Sequence, residues 1–287
     1  MKITYIYHSG FLVESADAYY IFDYYRADFP VTDADKPVYV FVSHRHPDHY
    51  NPYVFEILRE KKVRRMTGII SYDIKPRNYT SHMEGVEIIA AEPDKEYTLD
   101  NGALVRTLRS TDKGVAYVVT FDDGGVPRSV YHAGDLNDWV WEGEDERVNK
   151  WMTGSYRRYL TAVEGMHFDA VMVPVDSRQG DDMFRGIEYL LEKVKADAVY
   201  PMHYWDKPEV IMQFAGKYPQ YADIIRYTED RMDRYSVIED KNPREIVLLR
   251  GSGCVYKKCT FCDYYSDSGR DEDVNYMINR AALSQAV

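Results

Sequence analysis

The stretch FVSHRHPDHY, residues 41–50, decides what fold and chemistry to expect of this chain. It contains four side chains that can bind a metal ion: His44, His46, Asp48 and His49. Alternate residues of an extended segment share a face, so the imidazoles of His-x-His point to one side, and the last two residues can serve a second position. Imidazole with carboxylate suits zinc, iron or manganese, and two adjacent ions can flank a hydroxide. The stretch therefore predicts a metal site.

Other metal-capable residues occur far along the chain at the ends of predicted strands. The run PVYVFVS, residues 37–43, is nearly all apolar, as expected of a strand buried on both faces, and it leads into the histidine motif. Asp135 follows a predicted strand at 129–132. His203 follows another at 198–201. Because loops at one edge of a sheet can converge, we expect these residues to meet at the metal site.

Helices are predicted between the strands. One is expected after Pro52, and DDMFRGIEYLLEKVKA, residues 181–196, has the apolar spacing of an amphipathic helix with aspartates at its start. Trp139, Trp141 and Trp205 flank the strand-end loops and could form the wall of a pocket, although packing is the more frequent role of aromatic residues.

The composition is globular and acidic. The chain has 47 acidic and 36 basic residues among 287, a formal net charge of −11, whereas nucleic-acid binding needs clustered Lys and Arg. Apolar runs such as DAVMVPV, residues 169–175, are too short to cross a bilayer, and the first residues lack the long apolar run of a secretory signal. We expect a cytoplasmic protein that acts on a small molecule, without nucleic-acid or membrane partners. The sequence leaves the oligomeric state open.

Four motifs together resemble the metallo-β-lactamase fold superfamily, and within it the ascorbate-6-phosphate lactonase-like hydrolases. They are YHSGF (7–11), SHRHPDH (43–49), YHAGDLNDW (131–139) and PMHYWDK (201–207), in the family's order. The resemblance implies an α/β fold, a four-layer αββα sandwich of two sheets with helices outside. It assigns residues 1–240 to a hydrolase domain and leaves 241–287 as a short cysteine-containing extension.

The resemblance also implies a role for each motif residue. Its implied metal ligands are His44 and His46 for a first ion, Asp48 and His49 for a second ion, Asp135 as the carboxylate bridging both, and His203 as the last ligand of the second. The implied cofactor is one or two zinc ions, with manganese or iron as alternatives. The usual activity is hydrolysis of an ester, lactone or phosphoester by a metal-bound hydroxide. Asp48 and Asp135 are candidates to accept or shuttle the proton, and His8 is a candidate to lie beside the ligands or face the substrate.

One departure from the family concerns the first metal ion. The family normally supplies a third histidine on a loop within TLRSTDKGVAYVV, residues 107–119, and no histidine is present there. Asp112 could substitute as an oxygen ligand, or it could be an ordinary turn residue before Lys113 and Gly114. His132 is another potential donor, or it is a packed residue at a strand end. The sequence therefore leaves open whether one or two ions bind.

The three cysteines form a separate motif, CVYKKCTFC, with Cys254, Cys259 and Cys262 in a C-x4-C-x2-C spacing. Three thiolates can hold three irons of a four-iron cluster, and the stretch resembles the cluster-binding start of radical SAM enzymes. The family's common spacing is one residue shorter. Twenty-five residues follow the last cysteine, far fewer than the roughly 200 that a (β/α) barrel needs. We therefore expect either the front end of a truncated second domain or a remnant.

Two functions compete with hydrolysis. Some relatives use two irons for oxygen or NO chemistry, which favours more acidic ligands around the first ion. Alternatively, a site reduced to one ion would suit a non-catalytic or regulatory domain linked to a radical SAM module. The substrate itself is not encoded in these motifs, because specificity in such sandwiches comes from loops over the site.

Overall fold

The computed structural model describes residues 1–205, 207–227, 235–238, 244–249, 251, 275–276, 278–279 and 283. The chain divides into two compact units, Met1–Lys207 and Pro208–Val287. The predicted domain boundary at residue 240 stays a prediction. The three cysteines proposed for an iron–sulfur cluster, Cys254, Cys259 and Cys262, lie outside the described residues.

The first unit contains two six-stranded sheets. The first sheet follows chain order, with β1 to β3 antiparallel and β3 to β6 parallel: β1 (Lys2–Tyr7), β2 (Gly10–Glu14), β3 (Tyr19–Phe22), β4 (Val38–Val42), β5 (Met66–Ser71) and β6 (Glu87–Ala91). The second sheet has the order β14-β12-β10-β9-β8-β7, and its strands are β7 (Glu96–Thr98), β8 (Leu104–Arg109), β9 (Val115–Asp122), β10 (Pro127–His132), β12 (Ala170–Pro174) and β14 (Val199–Met202). Its strands β7 to β10 are antiparallel, and β12 and β14 extend it in parallel. A short parallel pair, β11 (His167–Phe168) and β13 (Lys195–Ala196), forms a separate two-stranded sheet, and β11 contacts β10.

Side chains of the central strands alternate between two buried faces, as the period of a strand requires. On one face, Tyr20 stacks on Phe121 of β9 with ring centroids 4.6 Å apart, which joins the two sheets. On the opposite face, Ile21 and Val40 belong to a core cluster with Phe55 of helix α1 (Val54–Glu60). All five residues of β4 are buried, which confirms the prediction that this strand is covered on both sides.

Two helices cover the other sheet. Helix α2 (Glu146–Leu160) contacts β8 and helix α3 (Arg185–Lys193), and α3 contacts β12. Together with α1 outside the first sheet, they confirm the predicted αββα sandwich. The helix predicted at 181–196 is shorter than expected. Its first residues lie in a 3-10 segment, Ser177–Asp182, which is kinked at Gly180 (φ 58°, ψ −127°), and beyond the last residue of α3, Val194 has an extended backbone (φ −123°, ψ 162°).

The second unit contains helix α4 (Glu209–Lys217) and a hairpin of β15 (Tyr235–Ile238) and β16 (Arg244–Val247). Among the described residues, further 3-10 segments are Pro76–Asn78, Ser81–Met83 and Thr161–Val163 in the first unit and Pro219–Tyr221 in the second. In the part of the chain that the structure describes, no helix combines the length and apolar character needed to cross a membrane.

Gly114 links the two sheets beside the histidine motif. It precedes β9, and the amide of the next residue, Val115, donates a hydrogen bond of 2.9 Å to the carbonyl of Ser43. The backbone of Gly114 has φ +71°, and a Cβ atom there would lie 1.9 Å from the Ser43 carbonyl oxygen and 2.6 Å from His44 Cβ. Only glycine therefore permits this approach of one sheet's loop to the other's strand end.

Replacing Gly114 with alanine is expected to lower the free energy of unfolding by about 2 to 5 kcal/mol, from left-handed strain and overpacking together. Gly85→Ala is the matched control, because Gly85 has a similar φ of +74° but nothing within 4 Å of the added Cβ. It should lose only the strain contribution, about 1 to 2 kcal/mol. Urea unfolding of both variants measures the difference. Equal losses would contradict a steric role for Gly114.

Candidate metal centre

The candidate ligands lie where strands of both sheets end. The first sheet contributes the β1–β2 turn and the loop after β4, and the second sheet contributes the loops after β8, β10 and β14. These five loops carry, in that order, His8, the 44–49 motif, Asp112, Asp135 and His203. Their side chains form two groups that could each hold a metal ion.

The second group, named for the second ion that the resemblance implied, consists of His8, Asp48, His49 and His203. Each side chain offers one ligand atom, and the four atoms lie within 4.8 Å of one another. Asp48 Oδ2 is 3.3 Å from His8 Nε2 and 3.8 Å from the Nε2 atoms of His49 and His203. The three histidines are buried, whereas the aspartate reaches solvent through the cavity above it.

The first group consists of His44, His46, Asp112 and Asp135, again with ligand atoms within 4.8 Å of one another. His44 Nε2 is 2.9 Å from His46 Nδ1 and 3.5 Å from Asp135 Oδ2. Asp112 Oδ2 is 3.4 Å from His46 Nδ1. An aspartate therefore occupies the side of this group where the family pattern led us to expect a third histidine.

Asp135 faces both groups. Its Oδ2 atom is the one near His44, while its Oδ1 atom is 3.2 Å from His49 Nε2 and 3.5 Å from His203 Nε2. A carboxylate with one oxygen towards each group has the arrangement that the bridging role requires.

His8 lies among the candidate ligands rather than behind them. The expectation from sequence was a residue beside the ligands or facing the substrate, but its Nε2 atom is a member of the second group. The His203 amide donates a hydrogen bond of 3.2 Å to the His8 carbonyl, so the β1–β2 turn is tied to the loop after β14. Both residues have positive φ, +58° and +65°. Such uncommon backbone conformations cluster at functional sites.

A buried aspartate that sequence reasoning missed, Asp23, orients two of the histidines. Its Oδ2 atom is 2.7 Å from His49 Nδ1, and Ser43 donates to it from Oγ at 2.6 Å and to Oδ1 from its amide at 2.7 Å. Because the carboxylate only accepts, His49 Nδ1 carries a hydrogen, and Ser43 Oγ, having donated, accepts from His44 Nδ1 at 2.9 Å. In its neutral form, each ring turns an Nε2 lone pair towards the groups, as metal binding requires.

Asp176 orients the ring of His203 in the same way. Its Oδ2 atom is 3.1 Å from His203 Nδ1, which leaves Nε2 for the second group. Arg178 Nε also donates to this carboxylate, at 2.9 Å to Oδ1 and 3.0 Å to Oδ2. Burial raises the pKa of Asp176, but the hydrogen bonds from His203 and Arg178 outweigh that effect and lower it.

The pKa values of His44 and His49 are shifted in opposite directions. Burial, followed by the charge of His49, lowers the pKa of His44 to about 3, so this ring is neutral at pH 7. Burial also lowers the pKa of His49, but Asp135 and Asp23 outweigh it and raise that pKa well above its ordinary value. A metal ion at His49 Nε2 would therefore have to displace a proton.

Unsatisfied buried atoms show that the residues fit metal ions. His8 Nε2, His49 Nε2 and Asp135 Oδ1 are buried and have no hydrogen-bond partner among the residues that the structure describes. Leaving such atoms unpaired costs about 1 to 3 kcal/mol each, and their convergence on one point is what a bound cation would satisfy. His132 is different, because its Nε2 is 2.8 Å from the Ser9 carbonyl and its Nδ1 accepts from the Gly134 amide. It belongs to neither group.

The protein-family comparison agrees with this centre. A family model described as "Beta-lactamase superfamily domain" matches residues 2–149, slightly more than half of the chain, including the histidine motif and Asp135. The chain belongs to the metallo-β-lactamase superfamily. The resemblance inferred from the motifs is thereby confirmed at the superfamily level, while the lactonase-like branch and the radical SAM resemblance stay predictions. A comparison with curated proteins finds no match.

Several solved structures of this superfamily type are similar to the chain. A candidate metal-dependent hydrolase from Parabacteroides distasonis is 17% identical with a TM-score of 0.50, covering 78% of this chain and 90% of its own. Igni18, a metallo hydrolase from Ignicoccus hospitalis, is 20% identical with a TM-score of 0.49, covering 78% and 93%. CmlA, a diiron β-hydroxylase from Streptomyces venezuelae, is 11% identical with a TM-score of 0.45, covering 70% and 44%. At these identities the likeness concerns the fold alone.

The candidate metal centre opens into a cavity of about 380 Å³. Metal-group residues form part of its lining, and the remainder is Thr111, Trp139, Trp141, Met152, Arg178 and Trp205. The three tryptophans flagged from sequence therefore do face the site. The indole of Trp139 also donates to the Asp135 carbonyl at 2.8 Å, which ties the cavity wall to the central carboxylate.

Three residues of the site escaped the sequence analysis: Asp23, Asp176 and Arg178. Asp23 directly follows the buried strand β3, and Asp176 lies two residues after the end of the buried strand β12 at Pro174. The expectation that site residues lie just after buried strands, which led to His44, Asp135 and His203, applies to both aspartates as well. Arg178 had no such signal, because its position depends on the bend that follows Asp176.

Proposed function

We propose that this protein is a metal-dependent hydrolase of small-molecule esters, lactones or phosphoesters. The observation that carries the proposal is the pair of ligand groups on either side of Asp135, at the base of a cavity of about 380 Å³. Zinc is the preferred metal for ligand sets of imidazole and carboxylate, and manganese or iron are alternatives. Superfamily membership and the fold support the same class of chemistry.

The first group would hold one ion and the second group another. When bound, such ions make hydroxide available near neutral pH and polarise the substrate oxygen. Within the protein, Asp23 and Asp176 hold the histidine rings in the tautomers that leave Nε2 free. Asp48 is exposed to the cavity and can accept or return a proton beside the reacting bond. The indoles of Trp139, Trp141 and Trp205, which line the cavity, would pack against the apolar part of the substrate.

Metal content tests the proposal directly. Protein purified without added metal should carry close to two ions per chain by elemental mass spectrometry. His44→Ala should lose the ion of the first group, and His203→Ala the ion of the second. His167→Ala is the matched control, because His167 lies at the surface with 54% of its side chain exposed and pairs with Asp197. It should keep both ions.

Hydrolysis is then measured with the metal-loaded protein on a panel of ester, lactone, thioester and phosphodiester substrates. Turnover that disappears in both ligand variants but not in His167→Ala is the expected result. Two bound ions without turnover on any substrate would contradict the hydrolase proposal and favour a regulatory metal-binding domain.

A diiron redox site is the second candidate, and the position of Asp112 favours it. Two carboxylates, Asp112 and Asp135, accompany two histidines in the first group, a more acidic set than three histidines with one carboxylate. Two histidines with a carboxylate are a ligand pattern typical of non-haem iron sites. Iron as the resident metal, with an absorption spectrum that changes on exposure of the reduced protein to oxygen, would support this candidate over hydrolysis.

A further inference from the structure

Arg178 sits in the cavity wall between two indole rings. Its guanidinium carbon is 4.9 Å from the centroid of the Trp205 ring and 5.8 Å from that of Trp141. Both distances are within the range of cation–π attraction. Trp141 in turn stacks on Trp139, with centroids 5.9 Å apart and planes 3° from parallel. The cavity wall beside the metal groups is thus aromatic, with one cation among its indoles.

Asp176 fixes the orientation of this cation. The carboxylate takes hydrogen bonds from Nε and Nη2 of Arg178, so one edge of the guanidinium is committed to it. The Nη1 edge has no hydrogen-bond partner among the described residues, and about half of the side chain is exposed. A guanidinium held in this way offers its free donors to a ligand with little further loss of conformational freedom.

The charge of the cavity lining also indicates an anionic ligand. Arg178 is the one permanently cationic side chain among the described residues that line it. The lining carboxylates, Asp48, Asp112 and Asp135, belong to the metal groups, so bound ions would offset their charge. What remains for the distal part of a substrate is a positive group beside flat apolar surface.

The strained backbone of Trp205 supports a binding role for this aromatic wall. Trp205 has φ +47°, a conformation that bulky residues rarely adopt, and it directly follows the loop of His203. Its ring packs 4.4 Å from the His8 ring, and 38% of the residue remains exposed. An exposed indole held against its backbone preference is the kind of outlier that marks a binding surface.

We propose that Arg178 and the indoles of Trp141 and Trp205 bind the anionic end of an organic substrate whose oxyanion is a carboxylate or a phosphate. This deepens the proposed hydrolase function by naming a substrate class, an amphipathic organic anion with a flat or apolar body. The oxyanion pairs with the Nη1 edge of the guanidinium, and the apolar body lies along the indoles towards the metal groups.

Tryptophan fluorescence tests this without turnover, because three of the four tryptophans line the cavity. The metal-loaded protein is titrated with benzoate, phenylphosphonate and neutral benzamide. Benzoate and phenylphosphonate share the aromatic body and differ in the oxyanion, so they distinguish a carboxylate from a phosphate subsite. Because no hydrolysis is measured, an inactive protein still gives a readable answer.

Arg178→Met is expected to weaken binding of the preferred anion by roughly 10- to 100-fold, as loss of a charge-assisted hydrogen bond implies, and to leave benzamide binding unchanged. Arg147→Met is the matched control, because that arginine side chain is 92% exposed, and it should bind like the wild type. Metal content of each variant is measured alongside.

Three results with the variant would overturn the assignment. Anion affinity that is undiminished in Arg178→Met would indicate direct coordination of the anion to the metal. Equal losses of affinity for benzoate and benzamide would show that the charge is not recognised, and loss of metal from Arg178→Met would make the arginine a support of Asp176 and His203 only. Absence of anion binding to the wild type would overturn it too.

Discussion

Asp135→Asn is expected to lower kcat/KM for any hydrolysed substrate by at least about 1,000-fold and to reduce the metal content at both groups. The reason is that Asp135 alone places one oxygen near each group, with Oδ2 3.5 Å from His44 Nε2 and Oδ1 3.2 Å from His49 Nε2. Asparagine has nearly the same shape but no charge, so it removes the attraction for two cations at once. Losses of this size correspond to about 4 kcal/mol of transition-state stabilisation.

Asp112→Asn is the matched comparison for that variant. Asp112 belongs to the first group only, 3.4 Å from His46, and is far more exposed than Asp135. It should lose the ion of the first group and keep that of the second. Metal content by elemental mass spectrometry and steady-state kinetics separate the two variants. If Asp135→Asn lost a single ion, or none, the bridging role would be wrong.

Asp23→Ala is expected to lower the free energy of unfolding by about 3 to 5 kcal/mol, the cost of removing one partner of a buried ionic network. Asp23 is 1% exposed and accepts from the Ser43 amide, the Ser43 hydroxyl and His49 Nδ1. Alanine would leave all three donors buried without an acceptor. Asp33→Ala provides the control, because Asp33 also accepts a backbone hydrogen bond but is exposed. It should cost less than about 1 kcal/mol in urea unfolding.

Asp23→Asn distinguishes the effect on the metal from the effect on the fold. The amide oxygen can keep the hydrogen bond from the Ser43 amide, but its NH2 group then faces His49 Nδ1. That contact favours the tautomer with hydrogen on Nε2, which cannot bind a metal. We expect about 10- to 100-fold weaker metal binding at the second group. Unchanged affinity would show that the carboxylate does not orient the histidine.

Much of the fold could be predicted because its signals are local. The apolar run that became β4 is buried along its whole length, and the histidine motif follows it directly, as the sequence indicated. A strand buried on both faces has no polar alternation, and this is readable from a few residues. The helix predicted at 181–196 was less accurate, because its first residues belong to the 3-10 segment Ser177–Asp182 and α3 begins only at Arg185.

The metal motif could likewise be found from sequence, because His44, His46, Asp48 and His49 are neighbours in the chain. The family resemblance also implied their division, with His44 and His46 on one ion and Asp48, His49 and His203 on the other. What the sequence left open is that Asp112 lies in the first group and His8 in the second. His44 and His46 join Asp112 and Asp135, whereas Asp48 and His49 join His8 and His203. This assignment depends on which loops meet at the ends of two different sheets.

The sequence by itself determined the histidine motif and the distant strand-end residues Asp135 and His203, since hydrophobic period and motif spacing are properties of short segments. Its motifs together also supported the family resemblance, and that resemblance implied the sandwich class. Only the tertiary structure decided that Asp112 stands where a third histidine was expected and that Arg178 is set into a tryptophan wall. Both depend on contacts between segments that lie far apart in the chain. The hydrogen bond from Val115 to Ser43 brings the loop before β9 against the histidine motif, and only Gly114 allows that approach. Contacts between residues so far apart are set by how two sheets pack, and no local pattern records that.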